Sequence, residues 1–367
     1  MIFSECTLVI SLNTIKRNYQ ALQKVCVTSE VGAAVKANCY GLGVKHIVPI
    51  LFSLGCRHFF VANRCEGVFL REILEKEKQG SEVVHIYVLN GYFINAKDDF
   101  IKYNLIPVIN SLNQLELWSN LACQLNKRLS CVLHIDTGMN RLGIQECQMN
   151  ALLPYSSIIN VLCVMSHLSS SEELNSESNS RQLTKFKRIG SLFPYAKKSL
   201  TNSSGIFLGL EYHFDITRPG SAIYGLNPTP YILEKSIIEN PISLRAPIIQ
   251  IESLNEGQYV GYNGTYQANE KKLVATLPLG YADGYLRSLS NKGIIFINGK
   301  PAPVIGRVSM DLITIDVTRI PMNDLFLGQE VEIIGKNMNL DRIADLAGTS
   351  GYEILTMLGN RYNRVYS

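Results

Sequence analysis

The chain of 367 residues carries a formal net charge of +4, with 46% hydrophobic and 18% charged residues, enough length and apolar content for two domains with substantial cores. The small charge and scattered basic residues exclude a nucleic-acid partner, and the lack of any apolar run of spanning length excludes a membrane one. Nine cysteines without a Cys-x-x-Cys pair and six dispersed histidines argue against a disulfide framework and a metal site, and for a reducing cytoplasm. The opening MIFSECTLVISLN also lacks the charged-then-apolar layout of a secretory signal.

In chain order, TIKRNYQALQKV places Ile15, Tyr19, Leu22 and Val25 on one helical face, with Asn13 as its N-cap. VGAAVKA reads as a first buried strand, and a helix follows through HIVPILFSLG, where Pro49 fits the first turn. HFFVAN precedes the helical EGVFLREILEK. VVHIYVLN, LIPVIN, CVLHID, INVLCVMSH, KSLTNSS and FDITRPG come next, most of them separated by helix-like segments. About eight short apolar runs of this kind are the pattern of parallel strands covered by helices. They predict an α/β architecture, an N-terminal (β/α)8 TIM-type barrel over residues 1–235 with its chemistry at the C-terminal strand ends. An open doubly wound sheet is the competitor, but no G-x-G-x-x-G follows the first strand.

Beyond about residue 240 the period changes. APIIQIESL, KLVATLPLG, KGIIFINGKPAPVIG, LITIDVT and EVEIIGK are strands without long helices between them, so residues 236–367 are expected to form a mainly-β domain. Asn298-Gly299 between two apolar runs signals a type I′ hairpin, and Ser350 with Glu353 reads as a capping box.

Polar residues collect where the barrel strands end. Lys36 and Tyr40 follow the first strand, in AAVKANCYGLG; His134, Asp136 and Arg141 follow the fifth, and His167 the sixth. Asn202, Ser203 and Ser204 follow the seventh, and Arg218, Gly220 and Ser221 the eighth. Hydroxyls and exposed backbone N–H groups after strands seven and eight suit a phosphate in this architecture. Lys36 has two readings: a side chain snorkelling from a strand end, or an amine whose apolar surroundings favour the unprotonated nucleophile. A phosphate anchor beside an isolated strand-end lysine suggests pyridoxal 5′-phosphate held as a Schiff base.

VKANCYGLG, HIDTGMNRLG, TRPGSAIYG, VGYNGTY, LPLGYADGYLR and GRVSMD together, in this order and spacing, resemble alanine racemase over essentially the whole chain. The resemblance implies an obligate head-to-tail homodimer with shared active sites, interconverting L- and D-alanine in a bacterial cytoplasm and supplying D-alanine for peptidoglycan. It makes Lys36 the cofactor lysine and one base, and makes Tyr262, supplied by the partner subunit, the opposing base. Two bases on opposite faces of a planar carbanion achieve racemisation, and both need pKa values near working pH. His167 would stand against the tyrosine, with Arg218 behind it. Arg218 would also donate to the pyridine nitrogen and keep it unprotonated, making the ring a poorer electron sink with less leakage into transamination. Tyr40, Asn202, Ser203, Gly220 and Ser221 match phosphate contacts. Arg141 matches the residue on the phenolic oxygen that approaches the substrate carboxylate, and Tyr281, the Met310 N–H and Asp311 match the substrate entrance. The counterpart of a C-terminal tyrosine that touches phosphate in some members is open between Tyr362 and Asn360.

One position departs from that family. Its motif begins with a lysine that is often carbamylated, and here the place is held by His134, which carries no such carbamate. A neutral imidazole or a bound chloride is the expected replacement. The rival readings are a racemase of broader substrate range, a barrel-type decarboxylase, whose ring-nitrogen residue would be acidic, and a non-catalytic pyridoxal-phosphate carrier. The carrier would be a single barrel, without the β domain that bears Tyr262 and Tyr281.

Overall fold

A computed structural model of the chain describes residues 6–77, 82–228 and 237–367. The chain divides into two compact units, one of Ile15–Ile238 and one that joins Met1–Thr14 to Glu239–Ser367. The boundary read from sequence at residues 235/236 touches residues outside those described. The N-terminal strand β1 (Thr7–Ile10) goes with the second unit because it pairs there with that unit's strands Ile242–Pro247 and Asn363–Tyr366.

The first unit is the barrel. Gly32 separates β2 (Glu30–Val31) from β3 (Ala33–Ala34), and then come β4 (His58–Val61), β5 (His85–Val88), β6 (Ile106–Ile109), β7 (Leu129–His134), β8 (Ile159–Met165), β9 (Lys197–Ser199) and β10 (Ile216–Thr217). Strands β3 to β9 form a continuous parallel sheet. Every residue of β4 and β6 is buried, which is why these segments, His58 at the start of β4 apart, are runs of apolar residues rather than alternating ones. The ring closes through β10, parallel to β2. Backbone bonds run from Glu30 N to Asp215 O (2.9 Å) and from Gly32 N to Thr217 O (2.9 Å) on one side, and from Arg218 N to Thr201 O (3.0 Å) on the other.

The barrel interior is layered. At the strand starts His58 bonds through Nε2 to Glu30 (2.5 Å) and through Nδ1 to the Tyr87 hydroxyl (2.9 Å), His85 stacks on His58 at 5.2 Å, and Lys197 pairs with Glu30. One layer up, Phe60 and Tyr87 stack at 4.7 Å. The strand ends above them carry the residues of interest, as a filled (β/α)8 core requires.

The second unit is mainly β. After β11 (Ile242–Pro247), β12 (Gln250–Leu254), β13 (Tyr259–Val260) and β14 (Tyr266–Gln267) come β15 (Lys272–Leu277), β16 (Ile294–Ile297) and β17 (Lys300–Ile305). The last three are β18 (Ile313–Asp316), β19 (Glu330–Ile334) and β20 (Asn363–Tyr366). Eight of them join β1 in one nine-stranded sheet, ordered β12-β15-β18-β17-β16-β19-β11-β1-β20, while β13 and β14 form a separate ribbon. The β16–β17 hairpin turns at Asn298 (φ 48°) and Gly299 (φ 78°), the two positive angles of the expected type I′ turn.

Three local expectations are corrected. The first helix begins at Leu12, one residue before Asn13, and the Ser11 hydroxyl takes the Thr14 N–H. Pro49 lies inside the helix Val44–Ser53 rather than in its first turn. Ser350 makes no side-chain cap bond, and Glu353 instead receives the Thr349 hydroxyl.

Candidate active site

Lys36 stands where β3 gives way to a turn of unusual hand. Ala37, Asn38, Cys39 and Tyr40 have φ of 51°, 55°, 55° and 54°, a left-handed run that costs L-residues roughly 1–2 kcal/mol each. Such strain persists only when neighbours over-determine it. Here Cys39 N bonds to Val35 O (3.0 Å), Gly41 N to Ala37 O (2.7 Å), and Asn38 Oδ1 accepts the Val44 N–H (2.8 Å). Glu66 accepts the N–H groups of Ala37 (2.8 Å) and Ala62 (2.7 Å). The Tyr40 ring lies 4.8 Å from that of Tyr224, whose hydroxyl donates to Ala34 O (2.9 Å).

The Tyr40 hydroxyl comes up against Gly220, where a Cβ would sit 2.4 Å from it. Glycine here is a matter of space, because only a bare Cα lets the phenol reach that backbone. Ser203 Oγ accepts the N–H groups of Gly220 (3.0 Å) and Ala222 (3.2 Å), so its own proton is directed away from them. Asn202 Oδ1 caps the short turn that follows by accepting the Gly205 N–H (2.9 Å). Ser221 is buried in the same loop, and the fully buried Thr201 hydroxyl has no partner among the described residues. Tyr40, Asn202, Ser203, Gly220 and Ser221 therefore gather on one stretch of the barrel rim.

Arg218 is buried and held by Ser199 Oγ (2.5 Å), Ser166 O (2.6 Å) and Leu200 O (3.2 Å). Those bonds leave Nε–H and one Nη1 proton for another acceptor. Burial lowers its pKa to about 10, still well above neutrality. Burial, joined by Arg218 and Arg141, pushes His167 down to about 3. His134 falls to about 4 from burial and Arg218, with Asp136 opposing and Arg141 adding. Lys36 is depressed by burial and by Arg141, against a smaller opposing pull from Glu66. These shifts place Lys36, His134, Arg141, His167 and Arg218 within mutual electrostatic reach.

The nearby carboxylates are already engaged. Asp136 accepts from the N–H groups of Gly138 (2.9 Å), Met139 (3.0 Å) and Asn140 (3.1 Å) and from Gln145 Nε2 (2.9 Å), which fixes the loop leading to Arg141. Three cations and two neutral imidazoles thus face a site whose acidic groups are spent on backbone. That is a receptor for an anion.

In the second unit Tyr262 opens the turn between β13 and β14 and is 69% exposed. Tyr281 N donates to Ser309 O and Ala282 N to Met310 O (both 3.0 Å). A Cβ on Gly280 would lie 2.2 Å from Met310 O, which forces glycine where the two loops touch. The Met310 N–H has no acceptor among the described residues. Asp311 pairs with Arg361 Nη1 (2.7 Å), whose Nε reaches Asp283 at 3.2 Å. The buried Tyr362 hydroxyl donates to Asp283 O (2.6 Å), so it is committed inside this unit.

Several participants were not singled out from sequence. Glu66 carried a signal, since Asn63-x-x-Glu66 just past a barrel strand is a capping-box spacing. Asn110, which accepts from His134 Nδ1 (2.8 Å), and Gln182, which bonds Thr137 Oγ1 and His167 O, carried none, because each reaches across from another element.

Two family models cover the chain: "Alanine racemase, N-terminal domain" over residues 10–228 and "Alanine racemase, C-terminal domain" over 241–366. An alanine racemase of Rickettsia canadensis is 49% identical over 367 residues, 99% of each chain. Among solved structures, alanine racemase from Bartonella henselae with covalently bound pyridoxal phosphate superposes with a TM-score of 0.92 at 35% identity, covering 99% of both chains. The biosynthetic enzyme of Pseudomonas aeruginosa does so with a TM-score of 0.89 at 28% identity, again over 99% of both. With both domain models matched and a relative of this identity along its full length, the chain belongs to the alanine racemase family.

Proposed function

We propose that this chain is a pyridoxal-phosphate-dependent alanine racemase, interconverting L- and D-alanine and supplying D-alanine for peptidoglycan. The observation that carries the reading is the convergence of a desolvated Lys36 with Arg141, Arg218 and the Tyr40–Ser203–Gly220 rim, among engaged carboxylates. The residues present fit the cofactor. The rim offers hydroxyls and a glycine-cleared backbone for the phosphate, the orphaned Thr201 hydroxyl lies at its edge, and Arg218 keeps two protons for a ring nitrogen. Pyridoxal phosphate, when bound, supplies the electron sink that makes an amino acid's Cα–H acidic.

The chain's residues do the rest. Lys36, its ammonium disfavoured by burial and Arg141, holds or releases a proton at Nζ on one face of the substrate Cα. Tyr262, from a second copy of the chain, does so through its phenol on the other face. Arg218 remains protonated and only donates, which favours an unprotonated ring nitrogen and return of the proton to Cα. Arg141 and the Met310 N–H hold the carboxylate, and Tyr281 and Asp311 line the way in.

Exposure of Tyr259 (62%), Tyr262 (69%), Met310 (53%) and Leu312 (43%) on linked loops of the β unit supports a homodimer that covers them. Among the described residues no helix is long and apolar enough to cross a membrane, in keeping with a cytoplasmic place. The test is coupled detection of D-alanine formed from L-alanine, with and without added cofactor, followed by borohydride reduction and peptide mapping. Label on Lys36 and cofactor-dependent racemisation are expected. Label on another lysine, or no D-alanine, would overturn the reading.

A further inference from the structure

The residue after Lys36 is tethered to a different element by one carboxylate. Glu66 occupies the third position of the helix Arg64–Glu77, and its own N–H is capped by Asn63 Oδ1 (3.1 Å). One oxygen, Oε2, accepts the N–H of Ala62, just past the end of β4, at 2.7 Å. The other, Oε1, accepts the N–H of Ala37 at 2.8 Å. The first N–H groups of any helical turn lack carbonyls within the turn, and a left-handed one is no exception. For Ala37 that acceptor comes from Glu66. The far end of the turn has its own clamp, Asn38 Oδ1 on Val44 N.

We infer that Glu66 is a positioning residue for Lys36: by gripping Ala37 it fixes the strained turn and hence the direction in which the lysine amine points. The inference rests on the reading of Lys36 as the cofactor lysine. Geometry separates the two jobs of the carboxylate. The bond to Ala62 ties the carboxylate to the strand-to-helix junction, where Asn63 caps the helix, and the bond to Ala37 belongs to the site. Its negative charge also acts on Lys36, partly opposing the burial and the Arg141 field that lower that pKa.

The experiment compares wild-type holoenzyme with Glu66→Ala, Glu66→Gln and Asn63→Ala. Asn63→Ala weakens the helix start without touching Ala37. The measurements are visible absorbance of bound pyridoxal phosphate, its rate of release into a carbonyl scavenger, kcat and KM, and the melting temperature. Loss of a charged acceptor is expected to speed cofactor release in Glu66→Ala about tenfold and to lower kcat by a similar factor with KM little changed. Glu66→Gln, which retains one acceptor and no charge, should recover part of both. Asn63→Ala should lower the melting temperature while keeping release and kcat near wild type. If Glu66→Ala and Asn63→Ala match in release, kcat and melting temperature, Glu66 serves the helix start only and the inference fails. Borohydride label on a lysine other than Lys36 in the wild type would instead bring down the reading beneath it.

Discussion

Gly220→Ala tests the phosphate rim with a known displacement. The new Cβ would lie 2.4 Å from the Tyr40 hydroxyl oxygen, 3.1 Å from its Cζ and 3.2 Å from Ala34 Cβ. Ordinary contact requires the phenol to withdraw by about 1 Å, and a gap of that size forfeits a hydrogen bond. Tyr40 has little room to comply, being buried with its ring tilted against that of Tyr224 at 4.8 Å. Losing one bond to a charged acceptor costs about 1.5–3 kcal/mol, roughly ten- to a hundredfold in cofactor affinity. The assay is titration of apoprotein with pyridoxal phosphate, followed by visible absorbance. Tyr40→Phe should lose a similar factor without a clash. In the double variant the oxygen the Cβ would strike is gone, so it should bind about as well as Tyr40→Phe alone, a clear non-additivity. Wild-type affinity in Gly220→Ala, or full additivity in the double variant, would refute the placement of phosphate at this rim.

Tyr262→Phe should slow conversion of L-alanine by at least about 10²-fold, the scale of a lost general base. Mixing it with a Lys36→Ala protein should regain one intact site per dimer, and mixed dimers as inactive as either parent would sink the cross-subunit assignment. Since His134 carries no carbamate, stripping carbon dioxide should leave wild-type activity unchanged, whereas His134→Lys should acquire bicarbonate dependence; a wild-type enzyme that needs bicarbonate would contradict this. On the barrel floor, burial raises the Glu30 pKa but Lys197 and His58 more than offset it, leaving it lowered. A depressed carboxyl contributes stability above its unfolded value of about 4.3, lost as pH falls through the folded one. Glu30→Gln should thus melt below wild type at neutral pH and converge with it in acid, and a gap that persists in acid would contradict the sign.

The sequence made the barrel legible because parallel strands buried on both faces read as near-continuous apolar runs, and FFV or IPVI admits few other readings. The hairpin at Asn298-Gly299 was legible for a local reason, positive φ at two adjacent residues. The turn after Lys36 was not. Ala37, Cys39 and Tyr40 have no preference for left-handed backbone, and only Asn38 and Gly41 hinted at it; the conformation is imposed by Glu66, Val44 and Tyr224 from elsewhere in the chain. Site residues at strand ends were visible as types and positions. Their supports were not, because Asn110, Gln182 and Ser199 lie on neighbouring elements whose approach follows from barrel closure alone.

His134 shows how such a support sets the chemistry. Asn110 Nδ2 donates to Leu89 O and Val108 O, both at 2.9 Å, which turns its Oδ1 towards His134. An oxygen there can only accept, so the imidazole proton is on Nδ1 and Nε2 keeps a lone pair. Burial and the arginines hold the ring neutral, with a pKa of about 4, and Asp136 opposes them only in part because its oxygens already receive three backbone N–H groups and Gln145. Were the ring charged, it would add a cation beside Arg218 and Arg141, and two like unit charges about 4 Å apart repel by about 4 kcal/mol at an effective dielectric of about 20. The neutral tautomer removes that repulsion and presents an acceptor in place of the anion a carbamylated lysine would bring. The positive charge of Arg141 and Arg218 is then left for a ligand to offset, which in the proposed reading falls to a substrate carboxylate at Arg141 and an unprotonated ring nitrogen at Arg218.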